Sequence, residues 1–203
     1  IVNALALLGW STENEIFSID ELIESFKLEN VQKAAAVFDL KRFNWVSSQQ
    51  LARLDEKGFF EVIKPFMEDE DVNEAFPNYK KILLAMRTSK TNLKDIAHAT
   101  RPFFFELDGY DEKGVKKFLS ESLETLTFAL EVLSKVAEWN ETELDMALIK
   151  VRDYFNLPIP KVNQPMRIAL VGSTVSPSLG LTLELFGKEK SLERIQKAID
   201  FIS

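Results

Sequence analysis

Helix periodicity and helix caps recur along almost the whole chain, while period-two alternation of apolar and polar residues is rare and short, so the sequence reads as a set of packed helices. Ser18-Ile19-Asp20-Glu21 has the form of a capping box, which predicts a short helix ending near Phe26. Asp39 caps a predicted helix through Trp45 and Leu51, and Asp55 one that ends near Met67. Pro77 is expected to begin a helix carrying Tyr79, Ile82, Leu83 and Met86. Asn92 caps another to about Thr100, where Pro102 should stop it. The run Phe103, Phe104, Phe105 with Asp108 and Gly109 then reads as a packed connector, and the boundary between two helical subdomains is placed at 101/102. Beyond it, Leu119, Leu123, Leu126, Leu130 and Leu133 form a short seam for packing against neighbouring helices. Asn140 caps a helix with Leu144, Leu148, Val151 and Phe155 on one face, ended by Pro158 and Pro160, and a last helix runs from about Ser191 to Ile202. The expected fold is all-α, two packed helical-bundle subdomains with about ten short helices and no internal repeat.

Composition narrows the chemistry. No apolar run approaches the roughly 20 residues of a membrane span, and no signal peptide is recognisable at the start, so a cytoplasmic protein is expected. The absence of cysteine excludes disulfides, thiolate metal sites and a cysteine nucleophile. The single histidine, His98, lies between two alanines on a predicted helix and reads as a surface or packing residue, which leaves no nucleophile and base to assemble. The acidic turn "EDEDVNE" lacks the ligand alternation, central glycine and closing glutamate of a calcium loop. No catalytic and no metal-binding residues are therefore expected. The chain starts without methionine, inside an apolar helical pattern, and reads as a fragment; no heptad seam is long enough to require a dimer, so a monomer is expected.

The formal charge of −7 disfavours nucleic acid at first sight. Its distribution says more. Residues 80–101 hold Lys80, Lys81, Arg87, Lys90, Lys94 and Arg101 against Asp95 alone, and residues 150–171 hold Lys150, Arg152, Lys161 and Arg167 against Asp153 alone. Either cluster could be an ordinary solvated helix face or an electrostatic footprint for phosphates.

The stretch "QPMRIALVGSTVSPSLG", Gln164 to Gly180, interrupts the helical pattern. Gly172 suits a left-handed cap closing a helix over Met166 to Val171, and Ser176-Pro177 suits an N-cap and first helical position. Two helices would then meet at a tight joint. The second would aim free amides and a positive dipole end at the joint, and Arg167 would add planar donors. That is a pocket for a phosphate or an exposed base, or else a joint whose polar residues merely cap. A phosphate loop is excluded, because Gly172 is not followed by Gly-Lys-Ser/Thr and "FGKEK" lacks the hydroxyl.

Four segments in order carry a family resemblance: "IVNALALLGWS" (Ile1 to Ser11), "EIFSIDELIESFKLENVQKAAAVFDLKRFNW" (Glu15 to Trp45), "RPFFFELDGYDEKG" (Arg101 to Gly114) and "QPMRIALVGSTVSPSLGLTLELFGKEKSLERIQKAI" (Gln164 to Ile199). Together they resemble the C-terminal half of bacterial glutamyl-tRNA synthetases, class I ligases that join glutamate to its tRNA through an ATP-dependent glutamyl-adenylate. The resemblance implies a stem-contact remnant in residues 1–45 and anticodon-binding helical subdomains at 46–101 and 102–203. Neither the HIGH motif nor the KMSKS loop occurs in the chain, so on this resemblance it should be inactive alone and need its N-terminal catalytic domain in cis, with ATP and magnesium as cofactors of the whole enzyme only.

The resemblance also implies site residues. Arg167, Ser176, Pro177 and Leu179 match positions that contact the first two anticodon bases, and Arg42 and Trp45 match positions that touch the tRNA. The run "MRTSKTNLKD" matches the segment near the third anticodon base. Ser89, flanked by Arg87 and Lys90, stands where some members place an arginine that favours the glutamate tRNA over the glutamine tRNA. That departure leaves discrimination between the two tRNAs open and admits a relaxed enzyme that also charges the glutamine tRNA. The rival reading is a helical domain that has kept the fold and binds protein.

Overall fold

The computed structural model describes residues 1–10, 12, 14–32 and 37–203; Ser11 and residues 33–36, inside the first two resembling segments, lie outside the described residues. Twelve α-helical segments follow one another among them. They are α1 (Val2–Gly9), α2 (Ile19–Ser25), α3 (Leu40–Arg53), α4 (Glu56–Glu68), α5 (Tyr79–Met86), α6 (Leu93–Phe104), α7 (Glu112–Gly114), α8 (Leu123–Ser134), α9 (Glu141–Phe155), α10 (Ile159–Val171), α11 (Leu179–Phe186) and α12 (Lys188–Ile202). A 3-10 turn spans Leu28–Asn30, and a π-helical turn, Val115–Leu119, continues α7. The one extended pairing among the described residues is an isolated antiparallel bridge from Trp10 to Val31. The all-α expectation holds, with two more helices than expected.

The caps hold because each satisfies an otherwise orphaned amide. Ser18 Oγ accepts from Glu21 N at 3.1 Å while the Glu21 carboxylate accepts from Ser18 N, completing the capping box. Asp39, Asp55, Asn92 and Asn140 likewise accept from the first turns of α3, α4, α6 and α9.

The prolines depart from expectation. Pro102 does not stop α6, which continues to Phe104, so the boundary placed at 101/102 falls inside a helix. Proline removes one donor and deprives the His98 carbonyl of its partner, but His98 is solvent-exposed, and Phe105 N still donates to Arg101 O at 2.9 Å. Pro158 and Pro160 do not end α9. Asn156 does so in the left-handed conformation at φ 50°, and the two prolines open α10, whose first-turn amides have no intrahelical acceptor to lose. So α10 begins at Ile159 rather than near Met166. The start assigned to Pro77 moves to Tyr79, because Asn78 turns the chain at φ 58°. In the leucine seam, Leu119, Leu126 and Leu133 are buried and keep their sevenfold spacing, but Leu123, the first residue of α8, faces outward.

One apolar cluster extends from Leu51 in α3 to Ile199 in α12. Phe103 of α6 stacks on Phe186 of α11 at 4.7 Å, and Phe76 packs edge-on against Phe104 and Phe105. The helices on either side of residue 101 thus share a core. The described residues of 1–45 stand outside that cluster, tied to α3 by Gln50 Nε2, which donates to Asn3 Oδ1 at 2.7 Å and to Phe17 O at 2.8 Å.

Arg194 of α12 is the largest fully buried side chain, with 2% of its surface exposed. Its guanidinium lies over the Phe186 ring at 4.5 Å, donates from Nη2 to Phe105 O at 2.6 Å and donates from Nη1 to Leu170 O. Those carbonyls belong to the C-terminal ends of α6 and α10, where the helix dipole is negative. Replacing Arg194 with methionine should therefore destabilise the fold by about 3 kcal/mol, through two stranded carbonyls and imperfect packing. Lysine should restore less than half of that, since it lacks the planar fork. Urea unfolding followed by circular dichroism measures both.

Candidate nucleic-acid interface

The joint is built by Gly172 and Arg167. Gly172 closes α10 at φ 72°, ψ −4°, as expected, and a Cβ there would lie 2.8 Å from Gly109 O. Asp111 N donates to Gly172 O at 2.8 Å, which seats the 105–111 segment against the end of α10. Arg167, half-buried one turn earlier, donates from Nε to Ser176 Oγ at 3.2 Å and from Nη2 to Pro177 O at 3.3 Å. Burial lowers its pKa from the usual arginine value.

Two details of the joint differ from the sequence reading. Ser176 is not the N-cap of the second helix. Its hydroxyl is taken up by Arg167 and by Thr182 Oγ1 at 3.1 Å, and the cap passes to Ser178, which accepts from Leu181 N; Pro177 accordingly lies outside α11. Nor does α11 offer its N-terminus to the joint. Gly180 lets α11 approach α9 so closely that a Cβ would lie 2.5 Å from Asp145 Oδ1, and Glu141 accepts a hydrogen bond from the Ser178 hydroxyl. Two carboxylates thus face the positive helix end that was expected to attract an anion. Leu179 is 2% exposed, so its side chain belongs to the core.

The basic segment is more committed than its formal charge suggests. Arg87 donates to Leu51 O and Leu54 O and lies over the Phe59 ring at 5.0 Å, tying α5 to the end of α3. Ser89 Oγ donates back to Met86 O at 2.6 Å. Lys81 pairs with Glu184, and Arg101 with Glu70 at 2.9 Å. Glu70 comes from the acidic turn, and His98 Nδ1 lies 3.2 Å from its other oxygen. Burial acts to raise the Glu70 carboxyl, but the bonds from Arg101 and His98 outweigh it and hold the pKa below the usual glutamate value.

Lys90 opens onto a groove of about 480 Å³ whose walls are the C-terminal half of α6, with His98 and Arg101, the 105–109 segment, and the joint residues Gly172, Ser173 and Val175. The groove joins the basic segment to the joint, two regions separated by about 70 residues of sequence. Of the residues singled out from sequence, Arg167, Ser176 and Pro177 come together at the joint, and Lys90 lines the groove beside it. Arg87 and Ser89 turn inward. Arg42 and Trp45 lie on α3, away from the groove; Arg42 pairs with Glu15 at 2.7 Å, and Trp45 is 41% exposed.

Sequence reasoning missed the acidic side of the joint, Glu141 and Asp145; the glycine at 180, on the face of α11 turned toward α9, was the available signal. Asp145 is held above the usual aspartate pKa, by burial first and by the like charge of Glu141 second, against a bond from the Gly180 amide. Its folded-state pKa is therefore raised relative to the unfolded chain. The ionised group costs stability once the pH has risen through the folded value, and the cost is absent below the unfolded value. Asp145→Asn should raise the melting temperature at neutral pH, and the gain should vanish as the pH falls through the aspartate range, measured by thermal denaturation across pH 3 to 8, about the range in which carboxylates titrate.

Comparison with known proteins follows the same lines. The family model described as "Anticodon binding domain" matches residues 49–199. Similar curated proteins include glutamate–tRNA ligase 1 of Syntrophomonas wolfei, 32% identical over the whole of this chain and 42% of its own length. Glutamate–tRNA ligase 2 of Thermoanaerobacter pseudethanolicus is 34% identical, over the whole chain and 44% of its length. Among solved structures, a glutamate tRNA ligase from Elizabethkingia meningosepticum superposes with a TM-score of 0.80 at 28% identity, covering all of this chain and 41% of that one. The chain thus spans less than half the length of these relatives, and the match falls in their C-terminal part.

Proposed function

The chain belongs to the anticodon binding domain family, and on that premise we propose that it is the tRNA-gripping part of a cytoplasmic, monomeric class I glutamate–tRNA ligase. On this reading the whole enzyme attaches glutamate to the glutamate tRNA in two ATP-dependent steps through glutamyl-adenylate. The residues of this chain do not fit ATP or magnesium. No phosphate loop occurs in the sequence, and no cluster of three or more carboxylate or histidine ligands occurs among the described residues. On the proposed reading ATP and magnesium are handled by a part of the ligase that this chain does not span, and the chain alone is inactive.

The groove between Lys90 and the joint carries the proposal. Unpaired anticodon bases are read one at a time by donors and acceptors fixed in a rigid frame, with cations nearby for the phosphates. Arg167 spends two donors on holding the Ser176-Pro177 turn and keeps others for a base edge, while the turn itself supplies backbone and hydroxyl groups. Leu179 serves this site from the core, by seating the start of α11. At position 89 the hydroxyl is folded onto its own backbone, so no cation stands there to reject the glutamine tRNA; we propose that both tRNAs are accepted.

Residues 1–45 support the rest of the reading. Val2 and Leu5 on α1, Ile19 and Ile23 on α2, and Leu28 beyond them are exposed, apolar surface open to cover by protein. We assign that cover to the catalytic portion of the same ligase; Arg42 and Trp45 border the tRNA from there. The same surface is what a protein-binding domain without tRNA affinity would display.

The decisive experiment is the affinity of this 203-residue chain for glutamate-tRNA, glutamine-tRNA and anticodon-scrambled transcripts at two salt concentrations. The two natural tRNAs should bind alike and the scrambled one more weakly, by about tenfold or more. Arg167→Ala should remove most of that difference. Equal binding of all three, or none at low salt, would leave the protein-binding reading in place.

A further inference from the structure

A line of polar contacts crosses from the basic segment to the joint, and Glu141 is its centre. Lys81 of α5 donates to one oxygen of Glu184 on α11, and the other oxygen accepts from the backbone N–H of Glu141 at 2.7 Å. The Glu141 carboxylate accepts from the hydroxyl of Ser178, the residue after Pro177, whose carbonyl in turn holds Arg167. The far end of α11 is held from the same two sides: Asn78 Nδ2 donates to Leu185 O at 3.2 Å and Trp139 Nε1 to Leu183 O at 2.9 Å.

Capping of its own helix does not account for the Glu141 side chain. Asn140 already caps α9, accepting from Glu143 N at 3.0 Å. A carboxylate beside a nucleic-acid surface repels phosphates, so its charge works against binding. What it contributes is direction. By taking the Ser178 proton it leaves the serine lone pairs turned to Leu181 N, and a hydrogen bond to a charged acceptor is stronger than one between neutral groups.

We propose that Glu141 is a positioning residue for anticodon discrimination: through Ser178 it sets the turn on which Arg167 is braced, and Glu184 and Lys81 hold Glu141 itself in register with the basic segment. The inference rests on the anticodon-reading function above. Glu141 touches no base or phosphate in this scheme and acts through the turn.

The test uses the 203-residue chain with the same three transcripts and compares wild type with Glu141→Ala, Glu141→Gln, Ser178→Ala and the Glu141→Ala/Ser178→Ala double variant. Glu141→Ala should cut the preference for natural over scrambled anticodons by about tenfold, the scale of one charge-assisted hydrogen bond, with the salt dependence unchanged because no phosphate contact is lost. Glu141→Gln, whose amide oxygen still accepts, should keep most of the preference. The double variant should lose no more than the larger single loss, and Ser178→Ala reaches the same bond from an exposed position should Glu141→Ala fold poorly. If wild type discriminates and Glu141→Ala keeps the full ratio, or binds all three RNAs more tightly by one factor as relief of repulsion would, the inference is overturned while the function stands. If wild type does not discriminate, both fall.

Discussion

The buried guanidinium of Arg194 is the interaction on which the arrangement of helices depends. No carboxylate among the described residues is hydrogen-bonded to it, so its desolvation is offset by the negative ends of α6 and α10 and by the face of Phe186. Burial lowers its pKa from the usual arginine value, against the raising influence of nearby Glu106. One of the helices it ties carries the basic segment and the other leads into the joint. The groove of the proposed anticodon site lies between those two helix ends, so a core residue of α12 ties the groove's two walls together.

Around that fixed frame the joint is assembled from short polar side chains and glycines rather than from free charge. Gly172 and Gly180 act by what they lack: one admits a left-handed turn against Gly109, and the other lets α11 meet α9 at backbone distance. The close approach brings Glu141 and Asp145 to the start of α11. Like charges side by side raise the Asp145 pKa, a local cost of an arrangement that ties the turn down on its acidic side while Arg167 braces it on the other.

The electrostatics become intelligible once partners are assigned. The protein has a net charge of −7, and much of its basic segment is spent internally, Arg87 on carbonyls and Lys81 and Arg101 on glutamates, so few cations are left for the proposed RNA surface. Lys90 and Lys94 make no ion pair among the described residues. On the proposed function, affinity from so few free cations is modest, and specificity comes from base edges held in a rigid joint. In a longer ligase a second hold on the tRNA would supply the remaining affinity through effective concentration.

Local chemistry was legible from the residues: the caps at Ser18, Asp39, Asp55, Asn92 and Asn140, the left-handed end at Gly172, and the all-helical class that they imply. Each depends on atoms within about a turn of one another, so sequence spacing suffices to place them. Proline's effect depends on context that sequence spacing does not carry. Pro102 sits near a helix end where one carbonyl can turn to water, and Pro160 sits in a first turn where no donor is missed. The partners of Arg87 and Glu141, the inward turn of Leu179 and the burial of Arg194 were decided by tertiary structure alone. A long polar side chain takes the nearest unsatisfied group in space, and which carbonyl or hydroxyl that is depends on how distant helices pack.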